Sequence, residues 1–323
     1  MDNTLSQSAP RKATLVASLA ALLLILVKLA VGMGTGTVVV LASAVDSLLD
    51  FLVSSFNAYA VRSAERPSDQ TYNYGRGKME GVASFLEGLF LLASALYILR
   101  EAAWKFLEHG KLGFHFVLPQ AIPNVSLVWA MGAMVFSLAV TAILVAYLKR
   151  RAEESRSLII RADTIHYQTD LLSNAGILVA LAVVRFTGWA WVDPVIAMGV
   201  SVWVARAAAP LIRKGLAMLL DRALDEAIVN NIRIIAETHS DRVTNVHELK
   251  TRRSGDTNLV EFHLVFDEDI RLREAHQIAD EIEMRVRALE RTHWIVNIHL
   301  DPVDDSWRDQ KLAKRLLDEE PSP

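Results

Sequence analysis

Long apolar runs alternate with short polar connections from Leu15 to about Ile212, and from Arg213 onward the pattern changes to short amphipathic periods. Six runs, near 14–34, 38–62, 79–104, 122–148, 158–186 and 189–213, are each long enough to cross a bilayer, which takes about 20 apolar residues. Gly32, Gly34 and Gly36 mark the first turn, and Pro67 with the polar run after it breaks the second connection. Pro119 and Pro123 open the fourth run, and Gly188 and Pro194 bracket the start of the sixth. The first run exceeds a signal-peptide core and a second follows closely, so it reads as a retained span. Beyond the last run, 223–238 and 273–289 have helical apolar spacing. Stretches 243–252, 258–266 and 294–300 read as strands, the first two joined by Ser254-Gly255-Asp256. The order helix–strand–strand–helix–strand predicts a small α+β layer, a sheet covered on one face by helices.

Composition agrees with this division. The 323 residues are 52% hydrophobic and 22% charged, yet mean hydropathy is only +0.26, as expected of an apolar front joined to a charged back. A net charge of -3 argues against a nucleic-acid partner. The absence of cysteine removes disulfides and thiolate ligands for soft metals. Basic residues cluster before the first run (Arg11, Lys12), after the second (Arg62, Arg66, Arg76, Lys78), around the fourth connection (Lys149, Arg150, Arg151, Arg156, Arg161) and after the sixth (Arg213, Lys214). The alternate connections hold only Lys105, Lys111 and Arg185. The positive-inside rule then puts both termini in the cytoplasm. The expected domains are a cytoplasmic segment 1–13, a six-helix transmembrane domain 14–213, a cytoplasmic domain 214–302 and a mobile charged tail 303–323.

Ionisable residues interrupt two of the apolar runs. Asp46 and Asp50 stand four residues apart in the second, and His166 and Asp170 repeat that spacing in the fifth. Residues four apart share a helix face, with Cβ atoms about 6 Å apart. A charged side chain at the bilayer centre costs about 2.5 kcal/mol or more on insertion scales. Such groups persist when they face one another, water or an ion. Three carboxylates and one imidazole make a tetrahedral shell for a divalent transition metal. In the expected layout both pairs lie near mid-bilayer, about 12–18 Å from a helix end. Metal binding needs deprotonated carboxylates and a neutral imidazole, so protons and metal compete for one site. Glu87, near the inner end of the third run, reads as interfacial or water-facing.

In the soluble part, strand alternation puts His263 opposite Val260, Phe262, Leu264 and Phe266, and puts His299 and Asp301 opposite Trp294, Val296, Ile298 and Leu300. These groups fall off the apolar face. His247 is ambiguous, because it shares parity with Val243 and Leu249. His276 lies four residues before Asp280 on the second helix. His239 and His293 have no partner pattern.

Ala44-Val45-Asp46-Ser47-Leu48-Leu49-Asp50 and Arg161-Ala162-Asp163-Thr164-Ile165-His166-Tyr167-Gln168-Thr169-Asp170, with six spans and a histidine-bearing soluble domain, resemble the cation diffusion facilitator family, in particular its bacterial zinc/ferrous-iron efflux branch. The resemblance runs from Leu15 to Pro302. It implies a homodimer of six-helix units with cytoplasmic ferredoxin-like domains in the cytoplasmic membrane, exporting divalent metal in exchange for protons. By that resemblance Asp46, Asp50, His166 and Asp170 are the transport ligands. It also implies a two-metal cytoplasmic site of His247, His263, His299 and Asp301, with His276 sharing one ion across the pair. Imidazole and carboxylate ligands suit Zn(II) and Fe(II). The loop 69–80 resembles one that in relatives holds metal on an Asp and two His. Here Asp69 remains but Tyr72 and Arg76 stand at the histidine positions, so this site is expected to be absent or very weak.

Two other classes compete. A metal sensor or assembly scaffold in the membrane would use the cytoplasmic site alone, and the intact membrane quartet argues against it. An intramembrane metalloenzyme would need an open metal position and a general base, as in His-Glu-x-x-His. That motif does not occur, so the expectation is a transporter with metal as substrate, with no catalytic cofactor and no enzyme activity.

Overall fold

The computed structural model describes residues 3–35, 38–109, 124–155, 157–187, 191–290 and 292–302. The chain divides into two compact units, Met1–Ala217 and Met218–Pro323. The expected tail 303–323 lies outside the described residues.

The first unit is built from α1 (Asn3–Thr35), α2 (Val38–Ala64), α3 (Met79–His109), α4 (Asn124–Ser155), α5 (Leu158–Thr187) and α6 (Val192–Leu219). Among the described residues four segments are long and apolar enough to cross a membrane: Pro10–Thr35, Met79–Trp104, Met131–Ser155 and Pro194–Leu219. The helices α2 and α5, with 27 and 30 residues, are about 40 Å or more in length. Large apolar side chains point outward along the unit, such as Leu19 at 63%, Val135 at 61% and Ile143 at 72% exposure. A surface of that kind needs lipid rather than water against it.

Several helices overshoot the apolar runs that predict them. The first begins at Asn3, and the fourth continues to Ser155. A helix need not stop where hydrocarbon stops, because intrahelical bonds satisfy the backbone on either side. The end of α4 is also supported by Arg150 and Arg151, both paired to Glu154 at 3.2 and 2.7 Å.

The helix α1 packs against α2 and α4, and α5 packs against α4 and α3. Small residues permit this closeness: Ala13, Ala17 and Ala21 recur every four residues with no exposure. The helices α3, α5 and α6 meet through Leu91, Ala95, Ala162, Val204, Ala208 and Leu211. At Gly215 a Cβ would lie 2.7 Å from the Gly81 carbonyl and 2.8 Å from the Phe85 nitrogen, so only glycine lets α6 approach α3 there.

The second unit contains α7 (Glu226–Thr238), β1 (Val243–Ser254), β2 (Thr257–Phe266), α8 (Leu272–Arg287) and β3 (His293–Asp301). The sheet order is β1-β2-β3. The first pair is antiparallel and the second parallel, the latter because α8 carries the chain back to the starting edge. Val246, Val260, Phe262, Leu264, Phe266, Trp294 and Val296 face Ile232 and Ala236 of α7 and Ala275, Ala279, Ile282 and Val286 of α8 in one core. Both helices cover the same face, and Glu261 and His263 alternate off it along β2 with Leu259 and Val265. His239, just past α7, meets Glu281 of α8 at 2.9 Å, and this contact, with Gln277, holds the Glu281 carboxyl below its usual range.

Candidate metal centres

The α2 face that packs inward carries Val40, Ala44, Ser47, Ser54, Asn57 and Val61 at helical spacing, all buried. Asp50 falls within this stripe and is half-buried. On α5 the inward residues include Ile159, Ala162, Asp163, His166 and Tyr167, and Asp170 follows one turn after His166. Packing α2 on α5 brings Asp50, His166 and Asp170 together, with one ligand atom from each lying within 4.8 Å of the others. His166 Nε2 is 3.2 Å from Asp50 Oδ1 and 3.8 Å from Asp170 Oδ2. Ligands about 2.0 Å from a tetrahedral ion stand about 3.3 Å apart, so these separations are close to those that an ion sets.

His166 is 3% exposed. Its ring lies 6.2 Å from Phe90 and meets Tyr167 edge-on at 5.4 Å. Asp46 differs from the other three. It is on the exposed side of α2 with Val45, Leu48 and Leu49, and it does not belong to the group within 4.8 Å. Positions 46 and 50 differ by about 40° around a helix as well as by one turn, so a shared face does not guarantee a shared point.

Lys28 of α1 is a feature that sequence reading passes over. It is 7% exposed, and its Nζ donates to Ser47 Oγ at 2.7 Å and to the Ser43 carbonyl at 3.3 Å. A second is a buried polar trio on three helices. Asn57 Nδ2 donates to Glu87 Oε2 at 2.8 Å and to Asp163 Oδ1 at 2.7 Å. Glu87 is 4% exposed, which corrects the expectation of an interfacial or water-facing role. Its four-residue phase with Ala83 and Leu91, both buried, is the signal that would have placed it inside.

In the second unit His247, His263 and His299 stand in one row across the three strands, as directly paired residues. His247 reaches the outer face because the β1 register slips twice, between Val243 and Asn245 and between His247 and Lys250. The second irregularity contains Glu248 at φ 52°. Bulges break strict alternation, so Val243 and Leu249 pack on the core while His247, between them, does not. This removes the ambiguity that parity leaves.

Asp301 receives all three imidazoles. Its Oδ2 is 2.9 Å from His263 Nδ1 and 3.2 Å from His247 Nε2, and its Oδ1 is 3.1 Å from His299 Nε2. Both nitrogens of His247 are buried and lack an aligned hydrogen-bond partner. Three imidazoles around one 7%-exposed carboxylate form a nitrogen-rich donor set suited to Zn(II) or Fe(II). His276 is not brought to this group. It lies on α8, 71% exposed, 3.9 Å from Asp280.

In the loop after α2, Asp69 Oδ1 accepts the backbone N–H groups of Thr71 and Tyr72, and Oδ2 accepts Arg76 at 2.7 Å. The Tyr72 N–H, with Arg76 and Thr71, holds the Asp69 carboxyl below its usual range. Arg76 also stacks 4.2 Å over the Tyr72 ring. The two residues at the histidine positions thus engage Asp69 themselves.

Known proteins agree with this division. Residues 14–220 match the cation efflux transmembrane domain, and residues 224–303 match the cytoplasmic domain of cation efflux proteins. The chain is 34% identical to the cation-efflux pump FieF of Shewanella oneidensis over 88% of its own length and 90% of the pump. It is 35% identical to FieF of Pectobacterium atrosepticum, over 90% and 92% respectively. FieF of Cronobacter sakazakii is 33% identical over the same shares. An apolar multi-helix unit, a one-face-covered sheet and these matches together mean that the chain belongs to the cation diffusion facilitator family of multi-pass membrane cation-efflux transporters.

Proposed function

We propose that this protein exports Zn(II) and Fe(II) from the bacterial cytoplasm by exchange for protons, as a homodimer in the inner membrane. The observation that carries the reading is the convergence of Asp50, His166 and Asp170, from two separate long helices, to within 4.8 Å. Asp46 joins as the fourth ligand through a rotation of α2, the kind of small helix movement that alternating access requires. Six crossings, with both termini cytoplasmic, place the transmembrane domain at 14–213 and the cytoplasmic domain at 214–302.

Metal enters from the cytoplasm and displaces protons, because the carboxylates and imidazole bind it only when deprotonated. Protons returning from outside release it. The cytoplasmic group of His247, His263, His299 and Asp301 binds further metal, with His276 contributed across the dimer. This tightens the pair of domains and biases the transporter. His276 supports that role by lying exposed and away from the strand trio of its own chain.

The test is metal flux into proteoliposomes, with and without a pH gradient. Wild-type protein is expected to move Zn(II) and Fe(II) faster with the gradient. Asp50→Ala and His166→Ala are expected to lose at least tenfold in metal affinity, the upper effect of disturbing even an outer metal partner being about 100-fold. Wild-type flux in both variants ends the proposal.

A further inference from the structure

Asn57, Glu87 and Asp163 come from three different helices and are 1%, 4% and 0% exposed. One amide group donates to both carboxylates. Glu87 Oε1 and Asp163 Oδ2, along with Asn57 Oδ1, have no hydrogen-bond partner among the described residues. No Lys or Arg is paired with either carboxylate among the described residues. Two bare negative charges in so enclosed a place carry a large desolvation cost. The hydrogen bonds of 2.7 and 2.8 Å leave the amide packed between the two acids. A proton needs no further room there, whereas a metal ion would have to displace the amide.

The trio is near the transport ligands but distinct from them. Asp163 precedes His166 by one helical turn, about 4.5 Å along α5. Asn57 follows Asp50 by two turns, about 10 Å along α2. Glu87 is one turn before Phe90, whose ring faces His166. In the proposed orientation every one of these steps leads toward the cytoplasm. The charged and titratable groups bearing on the pair are His166, Asp170 and Tyr167 of α5. From α2 the uncharged Asn57 amide donates to both acids, and Asp50 stands two turns further out.

We propose that Glu87 and Asp163, bridged by Asn57, form a proton-binding site that is loaded when the membrane metal site is empty and discharged when a divalent ion arrives there. This rests on the export reading above. Seating the ion breaks one carboxyl O–H bond. The proton passes to water on the cytoplasmic side, and the negative charge left on the pair offsets the arriving ion. A divalent charge within about 10 Å repels a proton by on the order of a hundredfold in affinity, even at an effective dielectric constant of 20. The pair titrates as a unit, so the proton belongs to both acids.

The experiment measures protons released per Zn(II) bound by the purified full-length protein, with a pH indicator in weak buffer and metal counted by equilibrium dialysis. Glu87→Gln keeps the shape of the side chain and cannot lose a proton. It is expected to release about one proton fewer per protomer than wild type while binding the same number of ions. Asp163→Asn is the second variant and is expected to behave alike, which covers a failure of either to fold. On a His166→Ala background, Glu87→Gln is expected to change nothing, because no ion then arrives next to the pair. Unchanged proton release in both variants overturns the proposal. Loss of a bound ion in both also overturns it, by making the trio a metal site. If His166→Ala itself matches wild type in ions and protons, the membrane metal site fails instead, and the two failures are thereby distinguished.

Discussion

Tyr167 follows His166 directly, yet its hydroxyl turns to a different partner. It lies 2.7 Å from Ser54 Oγ and 3.4 Å from the Ala17 carbonyl, so one side chain ties α5 to both α2 and α1. Ser54 and Tyr167 are 0% and 1% exposed. Tyr167→Phe would leave a buried hydroxyl without its partner, at a cost of about 1–3 kcal/mol. The expected result is a lower thermal midpoint in detergent with unaltered Zn(II) affinity, read by thermal unfolding beside dialysis. A loss of affinity with no loss of stability would move Tyr167 into the metal site. At this scale the sequence shows which residue types are present but not which way they point. Asp46 and Asp50 look equivalent as letters, and only the packing of α2 separates them.

Between elements, glycine decides how near two helices come. Gly215 of α6 lies against the α3 backbone with no room for a methyl group, and a Cβ at Gly88 of α3 would meet the Ile212 nitrogen at 3.0 Å. Gly199, also on α6, has nothing within 4 Å of where a Cβ would stand. Gly215→Ala must therefore push α6 from α3, and overpacking of this kind costs about 1–3 kcal/mol. Gly199→Ala meets no such contact, and alanine is the better helix former by about 1 kcal/mol. Thermal unfolding of the two variants is expected to show a lowered midpoint for the first and an equal or raised one for the second. Helix and strand periods in the sequence predict all three strands and both helices of the second unit to within a few residues. They do not predict the β1 irregularities, which arise where β1 must keep Val243, Val246 and Leu249 on the core and still align His247 with His263.

For the molecule as a whole, the two candidate centres belong to separate compact units, so their contributions can be separated. A ligand at 100 times its dissociation constant stabilises the folded state that binds it by about 2.7 kcal/mol. Zn(II) is expected to raise the thermal midpoint of the unit that contains His263, and His263→Ala is expected to abolish that rise. Asp50→Ala is expected to leave it in place while removing flux. Chelation followed by thermal unfolding, with unit-specific tryptophan signals, checks both. Equal losses in the two variants would mean that the centres are not independent.

What the sequence determined by itself follows from short-range rules. Apolar run length marks membrane helices, period 2 marks strands, and ligand residues four apart mark a helix face, since each reflects backbone geometry within a few residues. The family also rests on letters alone, because its motifs are local. The tertiary structure decided everything that depends on which faces meet. It brought Asp50 to His166 across 116 positions, set Asp46 aside, drew Glu87 into a buried trio with Asn57 and Asp163, and gathered three strand histidines on Asp301. These are contacts between residues far apart in the chain, and their geometry is fixed by helix rotation, small-residue approach and strand register.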